Sequence, residues 1–332
     1  MSIELPRRQI MAGAITAGLA PLGLARPALA QAAAWPAPGL RLVVPFAPGG
    51  TTDLVARLVA AGLQERLGVP VVVENRAGAG ATTGSRLVAQ SPPDGLTLVM
   101  SNIASHAISP HLYGRNTGYD PVRDFTHIAL ITQNPSVFVA NARFEPTGLQ
   151  AMIAEAKRRP NGLDMATSGS GSSNHLLLVQ FAGATGITLN HIPYRGAGPA
   201  MTDVIAGTVP LMSDSLPSSA NHIRQGSVRA LGVSGEARHP AFPDVPTFRE
   251  QGVDLVSVSW FGLSGPAGTP PAVVERLNRE VRAVLATPES RARYAEFGGD
   301  AGDLDAAGYT AMVRDEFTRW GPVVRASGAS VD

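Results

Sequence analysis

Arg41-Leu-Val-Val-Pro-Phe-Ala-Pro-Gly-Gly-Thr-Thr-Asp-Leu-Val-Ala-Arg57 is the stretch on which the fold turns. Its first five residues are β-rich and predict a short strand over 41–45. Leu54, Val55, Leu58, Val59, Leu63 and Leu67 then fall on one stripe, which predicts an amphipathic helix over 52–67. Pro48-Gly49-Gly50 joins the two elements. Gly49 and Gly50 permit a tight turn with positive φ, Thr51 or Thr52 is a natural N-cap, and Asp53 suits the first helical turn. Two readings of the turn stay open at this point. It is either a cradle of backbone amides for an anion or a well-capped strand-to-helix connection.

The same plan repeats outward from this unit. Strands are expected over 69–74, 97–100, 137–140, 163–166, 190–193, 209–212 and 228–233. Helices are expected between them over 83–90, 149–159, 174–185, 197–206 and 217–225, and two long amphipathic ones close the chain over 271–285 and 306–325. Such alternation implies an α/β protein with mostly parallel sheets. Gly78-Ala-Gly80, Ser168-Gly-Ser-Gly171 and Gly196-Ala-Gly198 all separate a strand candidate from a helix candidate, as Gly49-Gly50 does. In open parallel sheets ligands bind beyond the carboxyl ends of the strands, where helices begin and backbone N–H groups can approach an anion.

Individual residues add detail. Ser168-Gly-Ser-Gly-Ser-Ser-Asn-His175 offers hydroxyls and amides at a helix start, with His175 suited to capping or packing. Tyr194 could hydrogen-bond a ligand, and Arg195 could pair with a carboxylate or be a solvated loop charge. Asp214, flanked by serines, could hold a ligand amine or hydroxyl, or cap the helix that follows. Catalytic and metal chemistry find little support. There is no G-x-S-x-G elbow, no H-E-x-x-H spacing, and a single lysine, Lys157, on a solvated helix end. Gly78, Gly80 and Gly84 miss the dinucleotide fingerprint by one residue, and no ribose-binding acid ends a following strand. No cofactor is expected.

The ends and the composition bound the rest. Arg7-Arg8, an apolar run over 10–24 and Ala28-Leu-Ala30 have the layout of a cleavable export signal over 1–30. The arginine pair suggests the twin-arginine route, with a Sec signal as the alternative. Cleavage would remove three arginines and Glu4, taking the formal charge from +1 to −1. That balance argues against nucleic acid, whose binding needs concentrated positive charge. The chain has no cysteine, so neither disulfides nor thiolate metal sites contribute, and 332 residues can bury a sufficient core without them.

Eight stretches, taken in order, resemble the substrate-binding proteins of tripartite tricarboxylate transporters, the Bug family. They are Val44-Pro-Phe-Ala-Pro-Gly-Gly-Thr-Thr-Asp53, Glu74-Asn-Arg-Ala-Gly-Ala-Gly80, Pro93-Asp-Gly-Leu-Thr-Leu98 and Tyr119-Asp-Pro-Val-Arg-Asp-Phe125, followed by Ser168–His175, His191-Ile-Pro-Tyr-Arg-Gly196, Pro243-Asp-Val-Pro-Thr-Phe248 and Gly265-Pro-Ala-Gly-Thr-Pro270. The resemblance spans the chain from about Trp35 onward. It implies two Rossmann-like lobes joined by two crossover strands, a type II periplasmic binding protein-like architecture. The first lobe would hold residues 35–135 with 256–332 and the second 136–255, with crossovers near 136–140 and 255–263. It further implies a periplasmic, non-enzymatic receptor, expected as a monomer, that closes on a small carboxylate and presents it to a membrane transporter. A ligand sensor signalling to a membrane receptor is the alternative. Carried over by position, Gly49, Gly50, Thr51 and Thr52 would line one wall, joined by Ser101, Asn102 and His106. Ser168, Gly169, Ser172, Ser173, Tyr194, Arg195 and Asp214 would line the other. Two departures stand out: Ala81 and Thr83 replace a glycine and an aliphatic residue usual in the family, and Ser213 replaces an aromatic before Asp214.

Overall fold

The computed structural model describes residues 35, 36 and 38–329, so the export signal expected over 1–30 lies outside the described residues. The chain runs β1 (Leu40–Val44), α1 (Thr51–Leu67), β2 (Val71–Asn75), α2 (Thr82–Ala89), β3 (Thr97–Asn102), a π-turn (Ala104–Ile108), α3 (Ser109–Tyr113) and β4 (Phe125–Asn141). It continues α4 (Leu149–Arg158), β5 (Leu163–Thr167), α5 (Ser173–Thr185), β6 (Leu189–Pro193), α6 (Ala197–Ala206), β7 (Leu211–Ser215), α7 (Leu216–Arg224) and β8 (Val228–Val233). It ends with β9 (Val258–Pro266), α8 (Pro271–Leu285), α9 (Pro288–Phe297), β10 (Asp300–Ala301) and α10 (Ala306–Ser327).

The strands pair in the order β2-β1-β3-β9-β4-β7-β5-β6, with β8 and β10 attached to β4. This sheet path divides at one point. Residues 125–135 of β4 pair antiparallel with β9, whereas Ser136 to Asn141 pair with β7 and β8. Pro135, which lacks an N–H, sits at the transition and ends the first ladder. The chain returns beside it: Ser136 and Ser234 exchange backbone and side-chain hydrogen bonds at 2.9 Å, and Ser257 N–H donates to the Ser234 carbonyl at 2.9 Å. Two lobes are therefore joined by two adjacent extended segments.

Each lobe has its own core. In the first, Val55, Val59 and Leu63 of α1 and Leu277 and Val281 of α8 pack on Leu40, Leu42 and Ile131 of the sheet. In the second, Phe138, Phe181 and Phe248 cluster on one face of the sheet, and Met201, Met212 and Leu216 on the other. Helix α5 buries Leu176, Leu177 and Leu178 in succession, which is why its sequence shows no one-sided stripe. Leu176 reaches across to the cluster of Ile103, Trp260, Tyr309 and Val313 in the first lobe.

Several expectations need correction. Parallel pairing holds only at the flanks (β1 with β2 and β3, β5 with β6 and β7), and the centre of the sheet is antiparallel. The first crossover lies within a single strand of 17 residues, Phe125–Asn141, longer than the 137–140 strand expected from sequence. The first half of that strand, buried on both faces, lacks the alternation that marks a half-buried strand. The second crossover is extended without a ladder until β9 opens at Val258. β7 runs to Ser215, so Asp214 lies within the strand. Helix α9 and strand β10 carry no clear pattern and were not anticipated. Among the described residues no helix is long and apolar enough to cross a membrane.

Candidate functional site

Four helices begin at one place between the lobes. Gly50 precedes α1, Ser172 precedes α5, Gly196 precedes α6 and Ser215 precedes α7. Gly50, Gly196 and Ser215 make no side-chain cap, so the first N–H groups of α1, α6 and α7 are left without the usual local acceptor. The positive ends of the helix dipoles add to these free donors. Together they enclose a cavity of about 30 Å³, room for a few water-sized groups. Phe46, Phe261 and Ile103 supply its apolar wall. Among the described residues no lysine, arginine or histidine lines it.

Three lining residues hold buried polar atoms without a partner: Thr51 Oγ1, Asn102 Nδ2 and Asp214 Oδ1. A buried polar atom without a hydrogen bond costs about 1–3 kcal/mol, so three around one cavity mark it as built to receive something polar. The orientation of Asn102 is fixed by its surroundings. Its Oδ1 accepts the Ser105 N–H at 2.9 Å, which turns the Nδ2 donor toward the cavity. Asp214 Oδ2 accepts the hydroxyls of Ser218 and Ser219 at 2.6 and 2.7 Å, leaving Oδ1 free. Burial pushes the Asp214 carboxyl above the ordinary carboxylate range, against the pull of those hydroxyls, the Ser215 amide and His222.

The cavity brings together Gly50, Thr51, Thr52, Asn102, Ser168, Ser172, Ser173 and Asp214 from the sequence-derived set. Gly169, Tyr194 and Arg195 instead line an adjoining recess of about 230 Å³ that shares Phe46 and Ser168 with it and is bounded by Gly78–Ala81 and Tyr113. There the Tyr194 hydroxyl donates to Asp203 at 2.6 Å, and burial with that carboxylate pushes its pKa up to about 12. The Arg195 side chain is exposed, and its carbonyl accepts the Ala47 N–H from the other lobe at 3.0 Å. Three residues lie elsewhere. Gly49 donates its N–H to Asp53 and supplies the turn with its only positive φ, 90°, while Gly50 at −88° is ordinary extended backbone. Ser101 is bonded to Ser264 and Tyr309 inside the first lobe, and His106 is fully buried against Phe125 with its Nδ1 on Ser105. A serine and a histidine after a strand end look alike whether they face inward or outward, and here both face the core.

Asn174, Ala197, Ser215 and Phe261 line the cavity without having been singled out as site residues. Asn174 stands inside the quoted Ser168–His175 run and was within reach of the same reasoning. Phe261 arrives on β9, far from any local motif, and only the sheet order places it there.

The lobes are closed over this cavity. Gly196 and Gly198 lie so near the first lobe that a Cβ on them would stand 2.9 Å from Ala47 N and 2.2 Å from Pro48 O. On the other side, Ser109 donates to the carbonyl of Gly80 at 2.6 Å and approaches that of Gly171 at 3.3 Å.

Comparison with known proteins identifies the family and the fold. Residues 55–329 match the family described as tripartite tricarboxylate transporter family receptor. Protein BugT of Bordetella pertussis is 35% identical over 314 residues, covering 94% of this chain and 96% of BugT. Among solved structures, R. palustris Rpa4515 with adipate superposes with a TM-score of 0.86 at 34% identity, covering 89% of this chain and 99% of that one. MatC from Rhodopseudomonas palustris with bound malate gives a TM-score of 0.82 at 32% identity, covering 86% and 98%. The matching family is described as one of receptors, not enzymes. The chain belongs to the tripartite tricarboxylate transporter receptor family.

Proposed function

We propose that this chain captures a small organic carboxylate in the cavity between its lobes, in the periplasm, and delivers it to a tripartite tricarboxylate-type membrane transporter. The observation that carries the reading is the convergence of unpartnered donors, the Asn102 amide and Thr51 hydroxyl among them, with four helix starts on a cavity that no basic side chain lines. Helix-start amides and hydroxyls suit one or two carboxylates on a small organic acid, and without a basic side chain they suit a highly charged phosphate ester less well. The bound adipate and malate of the two R. palustris relatives support the same ligand class.

The cavity adjoins the recess beside Tyr194 and Arg195, which would take the remainder of a longer ligand. In this reading residues 35–135 with 256–332 form one rigid body and 136–255 the other, hinged at Pro135–Ser136 and Ser234–Ser257. The protein acts as a monomer, exported by the signal over 1–30. Mass spectrometry of ligand released on denaturing the purified protein, combined with a thermal-shift screen, tests the ligand class. Mono- or dicarboxylates should raise the melting temperature, with about 2.7 kcal/mol of added stability at a hundredfold excess over Kd. Stabilisation by sugars or cationic solutes and by no carboxylate would sink it.

A further inference from the structure

We infer that Asp214 holds a proton against the bound carboxylate, so that capture of the anion draws a proton from solvent. The inference rests on the carboxylate reading above. Asp214 is 1% exposed and lies on β7 opposite Val137 of β4. Its Oδ2 is committed to Ser218 and Ser219, while Oδ1 has no partner at the wall of the cavity. Asp214 lines the cavity together with Gly50, Thr51 and Asn102, so a carboxylate held by those donors lies beside that carboxyl group. Two carboxylates at such a distance, away from water and without a cation, cannot both stay ionised; they share one proton.

No neighbouring charge relieves the pair. Asp53 of α1 is bound to Arg57, Asn75 and the Gly49 amide. On α5, His175 accepts the Gly171 N–H and stacks on His191 of β6. Asp164 of β5 accepts from Asn190. Asp203 of α6 accepts from Tyr194. Arg229 of β8 donates to the Phe144 and Pro146 carbonyls. On α7, Arg224 donates to the Glu296 carbonyl of α9, and Arg293 of α9 pairs with the Glu296 side chain. The Ser218 and Ser219 hydroxyls, the Ser215 amide and, of the charged groups, His222 of α7 pull the Asp214 carboxyl down, and burial outweighs them together. The stretch of β4 alongside, Ser136 to Asn141, carries no titratable group. An ionised Asp214 would repel the ligand that the helix starts attract.

The test is isothermal titration calorimetry of the mature protein in buffers of different ionisation heat, at several values above about pH 7, where ligand carboxyls stay ionised. The probe is adipate, or the unsubstituted dicarboxylate giving the largest thermal shift, because it bears no amine or hydroxyl. Uptake should rise with pH toward about one proton per ligand, and affinity should weaken by up to about tenfold per pH unit. Asp214→Asn keeps a neutral donor, so its complex should form with no proton uptake and with flat affinity. Wild-type titrations showing no uptake and no pH dependence would overturn the inference while leaving carboxylate capture intact. Loss of binding in Asp214→Asn alongside a flat wild-type profile would overturn it as well, and would assign an ionised Asp214 to a cationic or hydroxyl group of the cargo. Absence of binding by every carboxylate would remove the functional reading and this inference together.

Discussion

At the centre of the cleft, Thr51, Asn102 and Asp214 keep polar atoms without partners; at its edge, Gly196 and Gly198 press backbone against Ala47 and Pro48, and the Ala47 N–H is already bonded to the Arg195 carbonyl. The two regions do opposite work. The centre is left unsatisfied so that a ligand completes it. The edge is satisfied by the protein alone, and it needs the absence of side chains more than the presence of any. A mutation at the centre should therefore change what binds, and one at the edge whether the lobes can close at all.

The largest effect is expected at Gly198. A Cβ there would stand 2.2 Å from the Pro48 carbonyl oxygen of the other lobe, and that oxygen belongs to backbone that cannot swing aside. Gly198 lies in α6, where alanine is favoured over glycine by about 1 kcal/mol. Gly198→Ala should thus leave the melting temperature of the unliganded protein equal or higher. Carboxylate affinity should fall by about fivefold to a hundredfold or more, since a clash of this kind costs about 1–3 kcal/mol or above. Solution scattering with ligand should give a larger radius of gyration than wild type. Wild-type affinity would show that the edge is not a closing contact. A Cβ on Gly50 would meet the Ala197 Cβ of the other lobe at 3.2 Å, so a larger residue there obstructs closure as well as the anion.

Asn102→Asp tests the centre. The Asp keeps an oxygen for the Ser105 N–H but replaces the donor that faces the cavity with a second acceptor. Losing a hydrogen bond to a charged group costs about 1.5–3 kcal/mol, and like-charge repulsion adds to it, so affinity should drop by about a hundredfold. Folding should be spared. Calorimetry at matched pH decides the matter: an unchanged Kd would mean that Asn102 faces the cavity without touching the ligand.

These two residues also illustrate how far sequence reasoning reaches. Asn102 closes β3 and Gly198 stands in the first turn of α6 within a repeating strand–turn–helix plan, and that plan was legible from the 17-residue decisive stretch and its repeats. Which of the residues after a strand face the cleft was not. Ser101 and Asn102 are adjacent, yet one is tied to Tyr309 in the core and the other opens on the cavity, because consecutive side chains of β3 point to opposite faces. His106 sits one turn further, in the core with Phe125. The long strand β4 escaped because burial on both faces erases its periodicity, and α9 because its apolar residues are too few to mark a face.

Binding experiments must also avoid the acid side, and the structure says where that begins. His127 in the first lobe and His175 and His191 in the second are held neutral by burial, with pKa lowered to about 4. In the unfolded chain imidazoles titrate near about 6.5. The stability they contribute is complete above about pH 6.5 and is lost as pH falls through about 4, because only the unfolded chain binds protons easily in between. Denaturant melts at descending pH should show a loss on the order of 1–3 kcal/mol for His127, the most enclosed of the three. His127→Gln should flatten part of that slope. A midpoint constant from pH 7 to 4 would mean that the ring is hydrated. Since the loss touches both lobes, it should weaken folding without distinguishing centre from edge.

The smallest effect concerns the turn that bounds the outer recess. Ala79 and Ala81 both have positive φ, 45° and 75°, a region that costs a residue with a Cβ about 1–2 kcal/mol. Glycine would relieve each, but it also frees the unfolded chain, returning about 0.4–1 kcal/mol. The methyl groups differ in surroundings. That of Ala79 is exposed, whereas Ala81 is 1% exposed and packs with Phe46 and Ala104 beside the cavity. Removing the buried methyl forfeits about 0.8 kcal/mol more. Ala79→Gly should therefore gain about 0.5 kcal/mol, and Ala81→Gly should gain nothing or lose slightly, although the more extreme φ belongs to Ala81. Parallel urea melts of the two variants measure the difference directly. If Ala81→Gly proved the more stabilising, backbone strain would outweigh packing at this edge of the cleft, and the alanine at 81 would be there for the shape it gives the recess rather than for the contact its methyl makes.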